Sequence, residues 1–291
     1  MIVVKLMGGL GNQMFQYAFA KSLSLKRKLP FKIDTKAFEF DKLRDFELGI
    51  FNLQDRIAST EEIEFSKKTK ESKYSILFKK NFYKSAIKSD KIFTEKSLNH
   101  NSKIDFLPAE YFEGYWQSEK YFIQFEQEIR NDFAMFIEPN SYYKELLQTA
   151  TQTESVSIHF RRGDFINNSQ TNEFHGICSL DYYSEAMKHM KENIGDVTFF
   201  MISDDIDWVK NEFKSEKDIF FVENDKGSDY EDMRLMSSCK HNIIANSSFS
   251  WWGAWLNENN KKVVIAPKKW YKNDEVQKQT MDLIPDSWLR I

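Results

Sequence analysis

Hydrophobic and polar positions along the second half of the chain form a regular alternation of two patterns. Short apolar runs predict β-strands at residues 155–160, 197–203, 219–222, 241–245 and 263–266. The stretches between them predict α-helices at residues 180–192, 206–213, 230–238 and 249–257. Because strands and helices alternate in this way when helices connect parallel strands, we expect an α/β fold with a parallel sheet.

The chain begins with the same kind of pattern, and a glycine-rich turn lies inside it. A β-rich run at residues 2–6 is followed by Gly8, Gly9 and Gly11 and then by a helical apolar period. Glycines at such a turn let a ligand approach the backbone, and the N-terminus of the following helix attracts negative charge. The alternatives are a ligand-binding turn and a tight turn without a ligand.

This turn matches the dinucleotide-binding fingerprint only in part. Gly9 and Gly11 are in place, and Asp34 follows at the end of a short strand, but Met14 stands where the third glycine belongs. An NAD-dependent dehydrogenase is therefore one alternative function.

The middle of the chain is less regular. Residues 38–103 are mostly helical by composition, and residues 106–136 are dense in aromatic side chains that we expect in a core, with Tyr115 or Trp116 stacking on a sugar as the alternative. Residues 138–154 hold few aliphatic side chains and predict a hinge. We therefore expect two domains, at residues 1–150 and 151–291.

Composition places the chain among globular proteins. It has 291 residues, 41% of them hydrophobic and 26 of them Phe, and no apolar run approaches the roughly 18–20 residues that span a bilayer. The N-terminus shows no secretion signal pattern, and Cys178 and Cys239 lack the number and spacing of a disulfide framework or a zinc site. We therefore expect a cytoplasmic protein.

Charge is unevenly distributed along the chain. The net charge is −3, but residues 67–103 carry eleven Lys against Glu71, Asp90 and Glu95, which gives +8 there and leaves −11 elsewhere. The apolar spacing within this basic segment predicts an amphipathic helix, packed on its own domain or docked on an anionic membrane surface or acceptor. The acidic balance and the lack of a basic-aromatic module argue against a nucleic-acid partner.

The first candidate site follows the strand at residues 155–160, which runs directly into Arg161, Arg162, Gly163 and Asp164. Ligands of open parallel sheets bind beyond the carboxyl ends of the strands. A guanidinium offers a planar fork that matches a phosphate, so a diphosphate is the expected ligand. The alternative is that both arginines pair with carboxylates of the protein, such as Asp164.

Two further polar loops follow predicted strands and are expected to lie at the same sheet edge. One consists of Ser203, Asp204 and Asp205, whose carboxylates could bind a purine or cap the next helix. The other spans residues 246–250, where Ser247 or Ser248 is expected to cap a Trp-rich helix whose free N–H groups suit a phosphate. Trp251, Trp252 and Trp255 themselves are expected in the core.

Candidates for acid–base chemistry are few. His159 lies near the strand end and is either a structural histidine or a nucleotide contact, and Glu173 and His175 lie in the polar loop after the arginines, where either could be a general base. Asp205 and Asp207 have the D-x-D spacing of metal-dependent transferases. We predict that a helix has begun there, which turns the two side chains apart, so no metal site is expected.

Four stretches of the chain together resemble one family, the bacterial α-1,2-fucosyltransferases, which are inverting enzymes that use GDP-fucose. The resemblance is carried by Gly8-Gly9-Leu10-Gly11-Asn12-Gln13-Met14-Phe15-Gln16-Tyr17, His159-Phe160-Arg161-Arg162-Gly163-Asp164, Ser203-Asp204-Asp205 and Asn246-Ser247-Ser248-Phe249-Ser250-Trp251-Trp252-Gly253. The second and fourth stretches are long and specific, whereas the third alone would carry no weight. Residues 38–103 contain no recognisable motif of the family.

The resemblance implies a fold of two Rossmann-like domains facing across a cleft, the GT-B type, with the acceptor on residues 1–150 and the donor on residues 151–291. The implied reaction moves L-fucose from GDP-β-L-fucose to the 2-hydroxyl of a terminal galactose on a glycan or lipid-linked oligosaccharide. GDP-fucose is then a substrate, and no cofactor or metal is expected.

The resemblance also implies roles for single residues. Arg161 would grip the donor diphosphate, and Asn12 would lie beside the reacting sugar. His159 and Asp204 would lie near the guanosine, with Ser247, Ser248 and Phe249 around the phosphates or ribose. The remaining motif residues, Gly9, Gly11, Arg162, Asp164, Ser203, Asp205 and Asn246, are expected in substrate binding.

Besides the dehydrogenase, two alternatives stay open from the sequence. One is a metal-dependent transferase that uses another sugar nucleotide. The other is a non-catalytic carbohydrate-binding protein with aromatic platforms around Trp116.

Overall fold

The computed structural model describes residues 1–51, 53–68, 91–163, 176–223 and 229–291. They form two compact units, Met1–Ile129 and Arg130–Ile291. Each unit contains one parallel β-sheet with helices, which confirms the predicted α/β class. The boundary between the units lies earlier than the expected division after residue 150, and the roles assigned to the two domains stay predictions.

The first unit is built on a four-stranded sheet. Its elements are β1 (Ile2–Lys5), α1 (Leu10–Arg27), β2 (Phe31–Asp34), α2 (Thr60–Lys67), β3 (Ile92–Thr94), β4 (Tyr111–Glu113) and α3 (Glu126–Asp132), which crosses the boundary. Short 3₁₀ helices lie at Lys36–Glu39, Leu48–Phe51, Gln54–Arg56, Ile104–Phe106, Glu119–Tyr121 and Ile123–Phe125. The strand order is β2-β1-β4-β3, with every pair parallel.

Helix α1 packs its apolar side on an aromatic core. Phe15, Phe19 and Leu23 are buried, as their spacing predicted. The ring of Trp116 is fully buried and stacks on Phe19 with 4.1 Å between the ring centroids. Trp116 is therefore part of the core, and the idea that its ring stacks on a sugar is wrong; Tyr115 is 38% exposed.

The second unit is built on a six-stranded sheet. Its elements are α4 (Ser141–Gln152), β5 (Ser155–Phe160), α5 (Leu180–Ile194), β6 (Thr198–Ser203), α6 (Ile206–Phe213), β7 (Ile219–Phe221), α7 (Asp229–Ser238), β8 (His241–Ile243), α8 (Ser248–Leu256), β9 (Val264–Ala266), α9 (Asp274–Gln277) and β10 (Leu289–Arg290). The strand order is β10-β9-β8-β5-β6-β7 and every pair is parallel. All predicted strands and helices of this half are confirmed, with ends shifted by at most two residues.

The hinge expected at residues 138–154 is wrong, because most of it is helix α4. The Asn140 side chain caps this helix by accepting the Tyr143 N–H at 2.9 Å. Tyr143, Leu146 and Ala150 recur at helical spacing and are buried, and the Tyr143 hydroxyl donates to Asp232 at 2.7 Å. Few aliphatic residues were needed because a tyrosine supplies much of the buried surface.

In both sheets the strand order reverses at one point. In the second unit this point lies between β5 and β8, and in the first unit between β1 and β4. In the second unit β5 connects to β6 on one side and β8 connects to β9 on the other, so a crevice is expected beyond the carboxyl ends of β5 and β8. The corresponding edge of the first sheet lies beyond the carboxyl ends of β1 and β4, which are adjacent and parallel.

Two expectations fall outside the described residues. One concerns most of the basic amphipathic segment, and the other is a capping box that Ser228 is expected to form with Glu231 for the helix predicted at residues 230–238. Within the described part of the chain, no helix is both long enough and apolar enough to cross a bilayer.

Candidate functional site

The site in the second unit is organised around the end of strand β5. All six residues of this strand are buried, and Phe160 packs on Tyr183 with 4.2 Å between the ring centroids. The Tyr183 hydroxyl also donates a hydrogen bond to the backbone oxygen of His159 at 3.1 Å. These contacts fix the backbone from which Arg161 projects.

Arg161 forms an ion pair across the strand ends. Its Nη1 lies 2.9 Å from Oδ2 of Asp204, which follows β6, and the two side chains are 23% and 25% exposed. Oδ1 of Asp204 also accepts the Arg162 N–H at 2.9 Å. A Cβ on Gly163 would come within 3.0 Å of Asp204 Oδ2, so a side chain there would crowd the ion pair. The alternative of pairing with a protein carboxylate is thus confirmed for Arg161, with Asp204 as the partner.

Arg162 is held by different groups. Its guanidinium carbon lies 3.4 Å from the ring centroid of Trp208 on α6, and its Nε lies 3.3 Å from Asp205 Oδ2. Ser203 Oγ in turn accepts the Asp205 N–H at 2.9 Å. Asp205 occupies the N-cap position of α6, but its side chain makes no capping hydrogen bond. The prediction that the Asp205 carboxylate caps this helix is therefore wrong. Asp205 instead helps to orient Arg162.

His159 carries an unsatisfied polar atom. The side chain is buried, and its Nδ1 has no hydrogen-bond partner among the described residues. Burial lowers its pKa to about 4, although the Asp204 carboxylate opposes this shift, so the imidazole is neutral at pH 7. Its ring lies 5.6 Å from that of Phe249 at the start of α8. A buried orphan nitrogen of this kind suits a ligand contact.

Helix α8 points its N-terminus at the same sheet edge. Ser247 is the N-cap residue, but its side chain makes no capping hydrogen bond, so the predicted side-chain cap is wrong for this residue. The first-turn N–H groups of a helix attract anions. Trp251, Trp252 and Trp255 are buried, as predicted, and their packing fixes α8 against the core.

Asn246 has a structural position. Its Nδ2 donates to the backbone oxygens of Gly176 at 3.2 Å and Trp270 at 3.1 Å, and its Oδ1 lies 3.4 Å from the Cys178 sulfur. The buried amide therefore ties together two loops that flank the site, and it does so through contacts that the sequence pattern did not reveal.

The glycine-rich turn of the first unit shows why glycine is needed there. Gly8 has a φ of +77°, and a Cβ on it would come within 2.6 Å of Asn12 Nδ2. Gly9 is the N-cap of α1, and the buried Gly11 belongs to its first turn. Asn12 Oδ1 accepts a hydrogen bond from Gln117 Nε2 at 2.7 Å. This bond joins the first turn of α1, which follows β1, to the loop after the neighbouring strand β4.

Two buried glutamines of the first motif, to which the sequence analysis assigned no role, hold this turn in place. Gln13 donates to the backbone oxygens of Gly8 and Asp45, each at 2.8 Å, and accepts the Glu47 N–H at 2.9 Å. Gln16 accepts the Met7 N–H at 2.9 Å. The signal was present, because amide side chains in the apolar face of a helix must find partners.

Asp34 is engaged within the protein, which counts against the dehydrogenase alternative. Its Oδ2 accepts the Tyr111 hydroxyl at 2.6 Å, and its Oδ1 accepts the Lys36 N–H at 3.0 Å. Lys67 lies 4.1 Å from the Tyr111 ring centroid and 3.8 Å from Asp34 Oδ2. A ribose hydroxyl would have to displace these partners.

Three predicted site residues, Asp164, Glu173 and His175, lie outside the described residues, so their roles stay predictions. Among the residues that the structure describes, no group of three or more His, Cys, Asp or Glu side chains could hold a metal ion. Helix α6 begins at Ile206, so Asp207 lies in the helix whereas Asp205 precedes it as the N-cap residue, and the expected orientation of the two side chains stays a prediction.

Comparison with known proteins gives a family and several relatives. Residues 1–291 match the family described as Glycosyl transferase family 11. An α-1,2-colitosyltransferase of Escherichia coli is 35% identical over 303 residues, covering 100% of this chain and 98% of that protein. The O-antigen biosynthesis glycosyltransferase WbnK of Escherichia coli is 34% identical over 312 residues, covering 98% and 99%. The galactoside 2-alpha-L-fucosyltransferase Sec1 of Mus musculus is 24% identical over 159 residues, covering 52% and 43%.

Proposed function

We propose that this chain, which belongs to glycosyl transferase family 11, moves L-fucose from GDP-β-L-fucose to the 2-hydroxyl of a terminal galactose, with inversion at the transferred carbon. One observation carries the proposal. Arg161 and the N-terminus of α8 follow β5 and β8, the strands at which the sheet order reverses, and the unsatisfied Nδ1 of His159 belongs to the second-last residue of β5.

The donor diphosphate is the group that this crevice fits best. A guanidinium and the first-turn N–H groups of a helix both bind phosphate oxygens. His159 is neutral at pH 7, so its Nδ1 can form a hydrogen bond with the nucleoside, as donor or acceptor depending on the tautomer, without adding charge to the site. Phe249 lies beside that ring and can cover the ribose or base.

The same groups would assist the departure of GDP. Negative charge grows on the diphosphate as the bond from the sugar carbon to the phosphate oxygen breaks. Preorganised donors stabilise such charge because they need no reorganisation during the reaction. Asp204 holds Arg161 by one oxygen and the backbone after it by the other, which provides this preorganisation. We propose on this basis that the reaction proceeds without a metal ion.

The acceptor hydroxyl would attack from the face opposite the diphosphate, so the β-linked donor sugar becomes α-linked. The first unit is the proposed acceptor side. Glu173 and His175 remain sequence-based candidates for the general base.

The test is release of GDP from GDP-fucose against a panel of β-galactosides, with and without a chelator, for the wild type and Arg161→Lys. Lysine keeps the charge but loses the planar fork, so kcat/KM should fall by about a hundredfold or more. Arg56→Lys is the matched control, since Arg56 lies in the first unit. Near wild-type turnover of Arg161→Lys would remove Arg161 from the mechanism.

GDP-colitose is a second donor to test in the same assay, because one relative that matches over the whole of this chain is named a colitosyltransferase. Colitose is fucose without the 3-hydroxyl. A site that hydrogen-bonds this hydroxyl rejects the deoxy sugar strongly, whereas an apolar site discriminates weakly. If the enzyme prefers GDP-colitose to GDP-fucose, the proposed donor changes to GDP-colitose, and the proposed role of Arg161 stays the same.

A further inference from the structure

The sheet edge beyond β1 and β4, here called the crevice of the first unit, carries polar groups that the family motifs do not include. Gln117 donates to Asn12 there at 2.7 Å. Gln117 is buried, yet its Oε1 has no hydrogen-bond partner within the described parts of the chain. A buried amide oxygen without a donor is costly, so it marks a place where a hydroxyl group can bind.

Glu95 lies at the same edge of the sheet. It directly follows β3, which is parallel to β4, and its N–H donates to the backbone oxygen of Glu113 at 2.7 Å. The carboxyl ends of parallel strands meet at one edge, so Glu95 reaches the crevice side of the sheet. The carboxylate is partly buried.

The turn after β4 is shaped to receive this carboxylate. Glu95 Oε2 accepts the Tyr115 N–H at 2.7 Å, and both of its oxygens lie 3.3 Å from the Trp116 nitrogen. Trp116 has a φ of +56°, an uncommon backbone conformation for a large residue. A Cβ on Gly114 would lie 2.5 Å from the Cβ of Glu95, so only glycine allows the approach. Each carboxylate oxygen has a second lone pair for a ligand.

We propose that this crevice is the acceptor-sugar site and that the Glu95 carboxylate takes the proton of the attacking hydroxyl, an assignment that rests on the function proposed above. The proton moves from the acceptor oxygen to a carboxylate oxygen of Glu95. The acceptor oxygen bonds to the sugar carbon, the bond from this carbon to the β-phosphate oxygen breaks, and GDP leaves with the electron pair. Solvent later removes the proton from Glu95.

The protonation behaviour of Glu95 agrees with this role. Burial raises its pKa to about 7, although the two backbone N–H groups act in the opposite direction. Among the described residues, the Tyr115 hydroxyl interacts electrostatically with Glu95, and Glu113, whose backbone oxygen accepts the Glu95 N–H, forms an ion pair with Lys5 at 3.6 Å. A general base works best when its pKa lies near the operating pH.

The experiment compares Glu95→Gln with the wild type in a sugar-transfer assay across pH 5.5–9. Glutamine can still accept both backbone N–H groups, so the turn is kept while the base is lost. We expect kcat to fall about a hundredfold or more. We also expect the rise of wild-type kcat/KM near pH 7 to disappear, and the affinity for GDP by titration calorimetry to stay within twofold.

Glu64→Gln is the control, because it removes an exposed carboxylate from α2 of the same unit and should leave the rate and the pH profile unchanged. A purely structural Glu95 would lower the melting temperature and the rate together and keep the pH profile, which would overturn the assignment. The assignment would also be overturned if Glu173→Gln or His175→Ala abolished the pH dependence while Glu95→Gln kept it.

Failure of the proposed donor is a separate outcome. If the wild type turns over GDP-colitose instead of GDP-fucose, the variants are compared with that donor, and the ratio of Glu95→Gln to wild type still decides the role of Glu95. If neither donor is turned over with any β-galactoside, both the proposed function and this assignment are wrong.

Discussion

The raised pKa of Glu95 has a consequence for stability that can be measured without any substrate. Its folded-state pKa of about 7 lies above the unfolded value of 4.5. The folded protein therefore binds this proton more tightly than the unfolded chain. The stabilisation is fully present below pH 4.5 and is lost as the pH rises through about 7.

The size of the effect follows from the shift. A difference between 4.5 and about 7, at 1.36 kcal/mol per pKa unit, corresponds to about 3 kcal/mol. Of this, about 2.5 kcal/mol is lost between pH 5 and pH 8.5. For a chain of this size the loss corresponds to a shift of roughly 5 °C in melting temperature.

Glu95→Gln isolates this contribution because glutamine does not titrate. The measurement is thermal or urea unfolding of the wild type and the variant at several pH values between 5 and 8.5. The variant should gain stability relative to the wild type as the pH rises, by the amount given above. Effects of the substitution that do not depend on pH cancel, because the quantity compared is how the stability difference between variant and wild type changes with pH. A difference that stays flat over this range would show that Glu95 titrates normally.

Three other perturbations test separate parts of the structure. Gly8→Ala places a Cβ against Asn12 at a positive φ, so it should destabilise the protein by about 1–3 kcal/mol in urea unfolding, with a smaller change contradicting the close approach. His159→Phe should weaken GDP binding about tenfold in calorimetry, through loss of one hydrogen bond. Because burial lowers the pKa of His159, the wild type should lose stability as the pH falls below the unfolded value of 6.5, and the variant should lose less. Treatment with a chelator should leave turnover unchanged, and a collapse restored by a divalent ion would refute the metal-free reaction.

The structure shows side-chain contacts that the sequence did not predict, on elements that the sequence did predict. Asp204 pairs with Arg161, and its expected position near guanosine stays a prediction. Ser247 has the N-cap position without the capping hydrogen bond. Asn246 ties loops together. Each element was visible in local periodicity, whereas each contact depends on a residue that is distant in the chain.

The sequence alone determined the order of strands and helices in the second half and the loop that carries Arg161. These features follow from local burial, because every strand and helix must place apolar residues at its own spacing to be covered. The four motif stretches likewise predicted the family to which the chain belongs.

Only the tertiary structure decided which loops meet. The order β2-β1-β4-β3 brings Gln117 to Asn12 and places Glu95 beside the turn at Trp116. Nothing in residues 91–117 taken alone specifies this order, because the pairing of short strands is set by long-range packing. Burial then gave a carboxyl group a pKa near neutrality, a property that exists only once the chain has folded around it.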